Sequence, residues 1–123
     1  MKKHICALGL LAAFVLAAPS MAAAPGNAKN GQALFQNRCA ACHSMDKNRV
    51  GPKLEGIVGQ KAGKAEGYNY SPALAKSGLT WSAANLDKWL AGPQTLVPGQ
   101  KMNFIVADPQ DRADIIAWLK TQK

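Results

Sequence analysis

Residues 39–43 read CAACH: two cysteines three apart, with a histidine directly after the second. Three chemistries use such a set, namely a zinc site, a redox dithiol, and the attachment of haem. A structural zinc site needs four ligands, yet beyond the first two dozen residues the chain offers only Cys39, Cys42 and His43 as thiol or imidazole donors. A thioredoxin-like dithiol follows a strand in a βαβ unit, and nothing in this sequence alternates strand with helix. Haem attachment needs only what is present. Thiols at i and i+3 share one helical turn, so both sulfurs can reach the two vinyl groups on one edge of the ring. His43 then presents its imidazole to the iron. The motif points to one covalent haem c per chain, with thioether links at Cys39 and Cys42.

An iron with one protein ligand is open to oxygen or peroxide, whereas an iron with two carries electrons. No other histidine is available for the second position once the leader is set aside. Met45 stands two residues past His43 and is tethered to the same face of the ring, and Met1 and Met21 belong to the leader. Met102 is therefore the expected sixth ligand. In VPGQKMNF, Pro98 and Gly99 form a turn, and Lys101 can extend outward while the thioether points in. A lone Met is more often core filling, but here the other face of the iron would be left empty.

Elements must be found that hold these residues. The chain has 123 residues. It opens with the basic stretch MKKH, then an apolar run over residues 5–18, then PSMAAA. This is the pattern of a Sec-type signal peptide. The run is shorter than the ~20 residues of a membrane-spanning helix. Pro25 is a poor residue to follow a cut, so cleavage is expected after Ala22 or Ala23. That division gives 1–23 as signal and 24–123 as one domain, located in the periplasm. Cys6 precedes the apolar run and is no lipid attachment site.

Asn27 can cap a helix running to Arg38, with Ala28, Gly31, Leu34 and Phe35 at helical spacing. Residues 45–69 hold five glycines and no sustained period, which reads as loop. In SPALAKSG, Ser71 caps, Pro72 opens and Gly78 follows a short helix. Ser82 caps a helix over residues 83–90 that Gly92 and Pro93 stop. Asp108 and Pro109 start a last helix reaching about Thr121, whose apolar face is Ile115, Ile116, Trp118 and Leu119. No run alternates long enough to make a sheet. The class is small and all-α.

Removing Lys2 and Lys3 takes the formal net charge from +8 to +6. Three of the seven acids, Asp108, Asp111 and Asp114, cluster near the end, so the remaining surface is more basic still. Export argues against nucleic acid, and the balance points to acidic protein partners. Lys53, Lys88, Lys101 and Arg38 are the expected steering cations. At this size one apolar core is marginal without an added staple, and a haem would supply it.

With these residues in view, the chain resembles class I c-type cytochromes of the mitochondrial cytochrome c and bacterial cytochrome c2 kind, over nearly all of residues 24–123. GQALFQNRCAACH matches the family's first helix leading into its haem motif, PGQKMNF its methionine loop, and DIIAWLK its last helix, which crosses the first near Gly31 and Phe35. The resemblance implies four to five short helices wrapped around one covalent haem. It also implies that the Pro52 carbonyl, in VGPKLEGIVG, receives the N–H of His43, and that Tyr70 and Trp81, in YNYSPALAKSGLTW, bind the haem propionates. Three departures stand out. The loop between His43 and Pro52 is short, Gln100 stands where Thr is usual, and Trp89 sits where many members have Tyr beside the methionine sulfur.

The function implied is a soluble, monomeric one-electron carrier in respiration or photosynthesis, with membrane contact only through its partners. Those partners would be acidic redox proteins such as a quinol–cytochrome c reductase and a terminal oxidase or other periplasmic enzyme. Two other classes use the same group: a peroxidase-like haem enzyme, which needs an exchangeable iron site, and a sensor in which a small ligand displaces Met102.

Overall fold

The computed structural model describes residues 13–17 and 23–123. The expected signal segment, with Cys6, Met1, Met21 and the proposed cut at Ala22, lies for the most part outside the described residues. Among the described residues the regular elements are five helices: α1 (Ala28–Arg38), α2 (Pro72–Ala75), α3 (Ala83–Ala91), α4 (Pro93–Leu96) and α5 (Pro109–Leu119). The only pairing of extended chain among them is an isolated antiparallel bridge between Lys61 and Thr80.

Caps set most of the boundaries. The side chain of Asn27 accepts from the Asn30 N–H at 3.0 Å, that of Ser71 from Leu74 at 3.1 Å and that of Ser82 from Asn85 at 3.1 Å. Asp108 accepts from both Gln110 and Asp111 at the start of α5. Each cap satisfies backbone donors that the first turn leaves free. Pro72, Pro93 and Pro109 each take a first-turn position, where a missing N–H costs nothing.

Helices α1 and α5 form the main helix pair and cross where α1 carries a glycine. A Cβ built on Gly31 would lie 1.9 Å from the Asp114 carbonyl oxygen, so only hydrogen permits this approach. Phe35 and Trp118 fill the next turn, with ring centroids 4.7 Å apart. The crossing is pinned at one end by Asp114, whose carboxylate accepts the Asn27 N–H at 2.8 Å. Ile115, Val106, Ile116, Leu119, Leu86, Leu90, Trp81 and Trp89 are buried beside it. Residues 45–69 wrap the outside without regular structure and bend repeatedly at glycines.

Candidate haem site

The segment after α1 closes on itself. The N–H groups of Cys39 and Ala40 donate to the Phe35 carbonyl at 2.8 and 3.0 Å, and those of Cys42 and His43 donate to the Cys39 carbonyl at 3.1 and 2.9 Å. This compact turn sets Cys39, Cys42 and His43 along the wall of a single cavity of about 470 Å³. Cofactor pockets run from roughly 300 to 1,000 Å³. The remaining walls are mostly apolar or aromatic and include Leu54, Leu74, Leu86 and Leu119.

All seven residues expected at the site are brought to this neighbourhood. Cys39, Cys42, His43, Pro52, Tyr70, Trp81 and Met102 line the cavity, and Trp89 lines it as well. Met45 does not. It packs against the core from the loop, so Met102 is the methionine that reaches the cavity among the described residues.

Three contacts define the chemistry. His43 Nδ1 lies 2.8 Å from the Pro52 carbonyl oxygen, so the N–H sits on Nδ1 and the Nε2 lone pair is free for a metal. Burial holds the His43 pKa below its ordinary value despite that hydrogen bond, which favours the neutral, ligating imidazole. Trp89 Nε1–H donates to the Met102 sulfur at 3.3 Å, fixing the direction of the thioether. The Tyr70 hydroxyl accepts the Ala65 N–H at 3.0 Å, leaving its own proton to donate, and burial keeps that phenol protonated.

Cys39 decides against a redox dithiol. Burial pushes its thiol up to about 11, although neighbouring Arg38 pulls the other way. Catalytic dithiols need the opposite shift, toward the thiolate. Among the described residues no group of His, Cys, Asp or Glu could hold a bare metal ion.

A haem fits what is present. The cavity has two thiols at one edge, one oriented imidazole and one oriented thioether. Gly51 makes room for the imidazole, since a Cβ there would stand 2.2 Å from His43 Cε1. Cys42 is exposed, and Val50 and Phe104, both on the cavity wall, are 73 % and 40 % exposed, so the mouth opens on this side.

Two features depart from the sequence expectations or were not foreseen. Of the four expected steering cations only Arg38 and Lys101 line the cavity. Arg38 is paired with Asp111 at 2.9 Å, and Lys101 Nζ donates to the Asn69 carbonyl at 2.8 Å. The second feature is Arg49. Its guanidinium donates to the carbonyls of Ala40 at 2.6 Å and Ala41 at 3.1 Å, clamping the cysteine turn from outside. The only trace of this in the sequence is a long cation in the short loop before Gly51.

Comparison with known proteins agrees with the geometry. A family profile described as Cytochrome c matches residues 28–123. The chain is 47 % identical over 115 residues to cytochrome c2 of Rhodomicrobium vannielii, covering 90 % of each chain. It is 42 % identical over 102 residues to cytochrome c of Gossypium barbadense, covering 80 % of this chain and 92 % of that one. Among solved structures it is similar to cytochrome cH from Methylobacterium extorquens, with a TM-score of 0.75 and 54 % identity over 78 % of this chain and 99 % of that one.

Proposed function

The chain belongs to the cytochrome c family and is an electron-transfer protein with covalent haem c, and we propose that it is a soluble carrier whose iron is held by His43 and Met102. The observation that carries this reading is that both side chains line one cavity, each already oriented by a second residue: Pro52 behind His43 and Trp89 beside Met102. When bound, the haem iron supplies one-electron exchange between its ferrous and ferric states.

The chain's own residues set the conditions for that exchange. Cys39 and Cys42 fix one edge of the ring at the end of α1. Pro52 keeps the His43 proton on Nδ1, and Trp89 holds the Met102 sulfur in one orientation, so little in the protein rearranges between redox states. The leucines and tryptophans of the wall exclude water, which disfavours the extra positive charge of ferric iron and raises the potential. Tyr70 and Trp81 are assigned to the ring's propionates. The mouth beside Val50 and Phe104 is the exit for the electron.

We read residues 1–23 as a signal peptide and the mature protein as periplasmic. Phe14, Val15 and Leu16 are 93 %, 88 % and 91 % exposed, as expected of an apolar segment that the folded domain does not use. Among the described residues no helix is long and apolar enough to cross a membrane. The partners proposed are acidic redox proteins, a quinol-oxidising complex on one side and a terminal oxidase or other periplasmic enzyme on the other.

The test is a pair of variants in the holoprotein. Met102→Ala should abolish the weak absorption band that reports sulfur bound to ferric haem, lower the potential, and open the iron to carbon monoxide. Met45→Ala should leave all three as in the parent. Loss of the band in the Met45 variant with retention in the Met102 variant would overturn the ligand assignment.

A further inference from the structure

The cysteine turn has five carbonyls, those of residues 39–43, and a backbone acceptor left without a donor weakens the turn that carries it. Cys39 accepts from within the turn, from the Cys42 and His43 N–H groups. The other four are taken by the short segment RVG, residues 49–51. The Gly51 N–H donates to the Cys42 carbonyl at 2.9 Å. The Arg49 guanidinium donates to the remaining three: Ala40 at 2.6 Å, Ala41 at 3.1 Å and, more weakly, His43 at 3.4 Å.

The same segment holds the imidazole. The Pro52 carbonyl accepts from His43 Nδ1 at 2.8 Å, and Gly51 stands so close that a Cβ there would lie 2.2 Å from His43 Cε1. The Arg49 N–H donates to the Gly51 carbonyl at 2.8 Å, which ties Arg49 to the residue that lies against the imidazole. Gly51 and Pro52 thus grip the side chain of His43 while the guanidinium grips the backbone around it. A planar fork with five donors suits three neighbouring carbonyls, where a lysine ammonium would be a point charge on a flexible stem. A cation also suits carbonyls gathered at the end of a helical turn, because they concentrate partial negative charge.

We infer that Arg49 is a positioning residue for the haem centre: by closing the carbonyls of Ala40, Ala41 and His43 it locks the cysteine turn to the Gly51–Pro52 backbone and so fixes the direction of the His43 imidazole. The inference rests on the reading of His43 as an iron ligand. Without the guanidinium, the hydrogen bonds between the turn and residues 49–52 reduce to two, Gly51 to Cys42 and His43 to Pro52. The Pro52 contact then opens more often, and Gly51 has no side chain to stop the imidazole from turning. An axial imidazole free to turn has more to reorganise whenever the iron changes charge. Arg49 therefore acts on electron exchange through the residue it positions.

Two variants of the holoprotein test this. Arg49→Met removes the charge and the donors, whereas Arg49→Lys restores the charge without the fork. The readouts are exchange of the His43 Nδ1 proton with solvent, compared with the backbone amides of α5, and the ferric haem-methyl proton shifts, which follow the direction of the axial imidazole. In both variants the Nδ1 proton should exchange faster relative to the α5 amides than in the parent, by roughly three- to tenfold, the equivalent of one net hydrogen bond. The methyl shifts should move in both. Equal acceleration at Nδ1 and in α5, or unmoved methyl shifts, would show that Arg49 only adds stability, and overturns the inference. Parent-like behaviour of the Lys variant overturns it too, because charge alone would then suffice, and that variant decides the matter even if the Met variant fails to take up haem. A parent protein whose His43 ring protons are not shifted by the ferric iron would instead overturn the ligand reading, leaving the exchange comparison interpretable by itself.

Discussion

At the scale of single residues, the site is built from pairs in which one side chain does the chemistry and another aims it. Trp89 and Met102 are the clearest pair: the indole N–H meets the sulfur at 3.3 Å, and the same ring packs edge-on against Trp81 with centroids 5.2 Å apart. Trp89→Phe keeps an aromatic ring for that packing and removes the donor. The freed sulfur lone pair becomes a better donor to ferric iron, so the potential should fall. A net hydrogen bond of roughly 0.5–1.5 kcal/mol corresponds to about 20–65 mV for a one-electron couple. Voltammetry checks the size, and the ferric sulfur band should remain. An unchanged or raised potential would show that the indole N–H does not act on the bound sulfur. That the CAACH residues and Met102 belong to one neighbourhood was legible, the first from the motif and the second by elimination, and Cys39, Cys42, His43 and Met102 all line the one cavity. Arg49 was not, because the aim of a long side chain depends on how a glycine-bounded loop folds, and no local pattern records that. Arg49→Ala should cost about 1 kcal/mol of stability through its lost contacts to the Ala40, Ala41 and His43 carbonyls, measured by chemical denaturation of the holoprotein.

At the scale of elements, caps and prolines announced α1, α2, α3 and α5 because each start is a local matter of one side chain meeting two or three N–H groups. The single turn α4 was not anticipated, since Pro93–Leu96 is too short to show any period and Pro93 reads equally well as a stop for α3. What no local pattern could give is the closeness of α1 to α5. Gly31→Ala places a methyl group where the Asp114 carbonyl stands, and the helices must part. Overpacking of this kind costs about 1–3 kcal/mol, and the backbone contact puts this site at the upper end. A melt of the ferric protein should shift down accordingly, and wild-type stability in the variant would show that the crossing is looser than drawn. Asp114 adds a pH dependence. Hydrogen bonds from the Asn27 N–H and from Gln110, the latter at 3.0 Å, hold its pKa below the ordinary carboxylate value. An acid with a depressed folded pKa contributes stability that is present above its unfolded pKa, near ~4, and lost as pH falls through the folded value. The parent should therefore lose stability more steeply than Asp114→Asn as pH falls below the ordinary carboxylate value. Parallel acid limbs would remove Asp114 from the account.

At the scale of the whole molecule, the protein is a basic shell around a cavity that the chain cannot fill by itself. Its charge governs encounters. With a net positive surface and an acidic partner, the second-order rate of electron transfer to membranes should fall steeply as salt rises, because the Debye length shrinks from ~10 Å at 0.1 M to ~3 Å at 1 M. Lys101→Glu, at the mouth of the cavity, should slow the reaction more than Lys88→Glu on α3, which lies away from it. The cavity governs folding. Leu74, Trp81, Leu86, Trp89 and Leu119 belong at once to the buried core and to the cavity wall, so the core and the binding site are one structure. Without haem these mostly apolar walls would face water, and a chain of this size has little other core to offset that loss. The chain without haem should therefore not hold this fold. The double variant Cys39→Ala, Cys42→Ala, produced without its ring, should show little helical circular dichroism and no cooperative melting, although α1 and α5 keep every cap and every residue of their crossing. Native-like helicity with a cooperative transition would mean that the helix pair carries the fold and the haem merely occupies it.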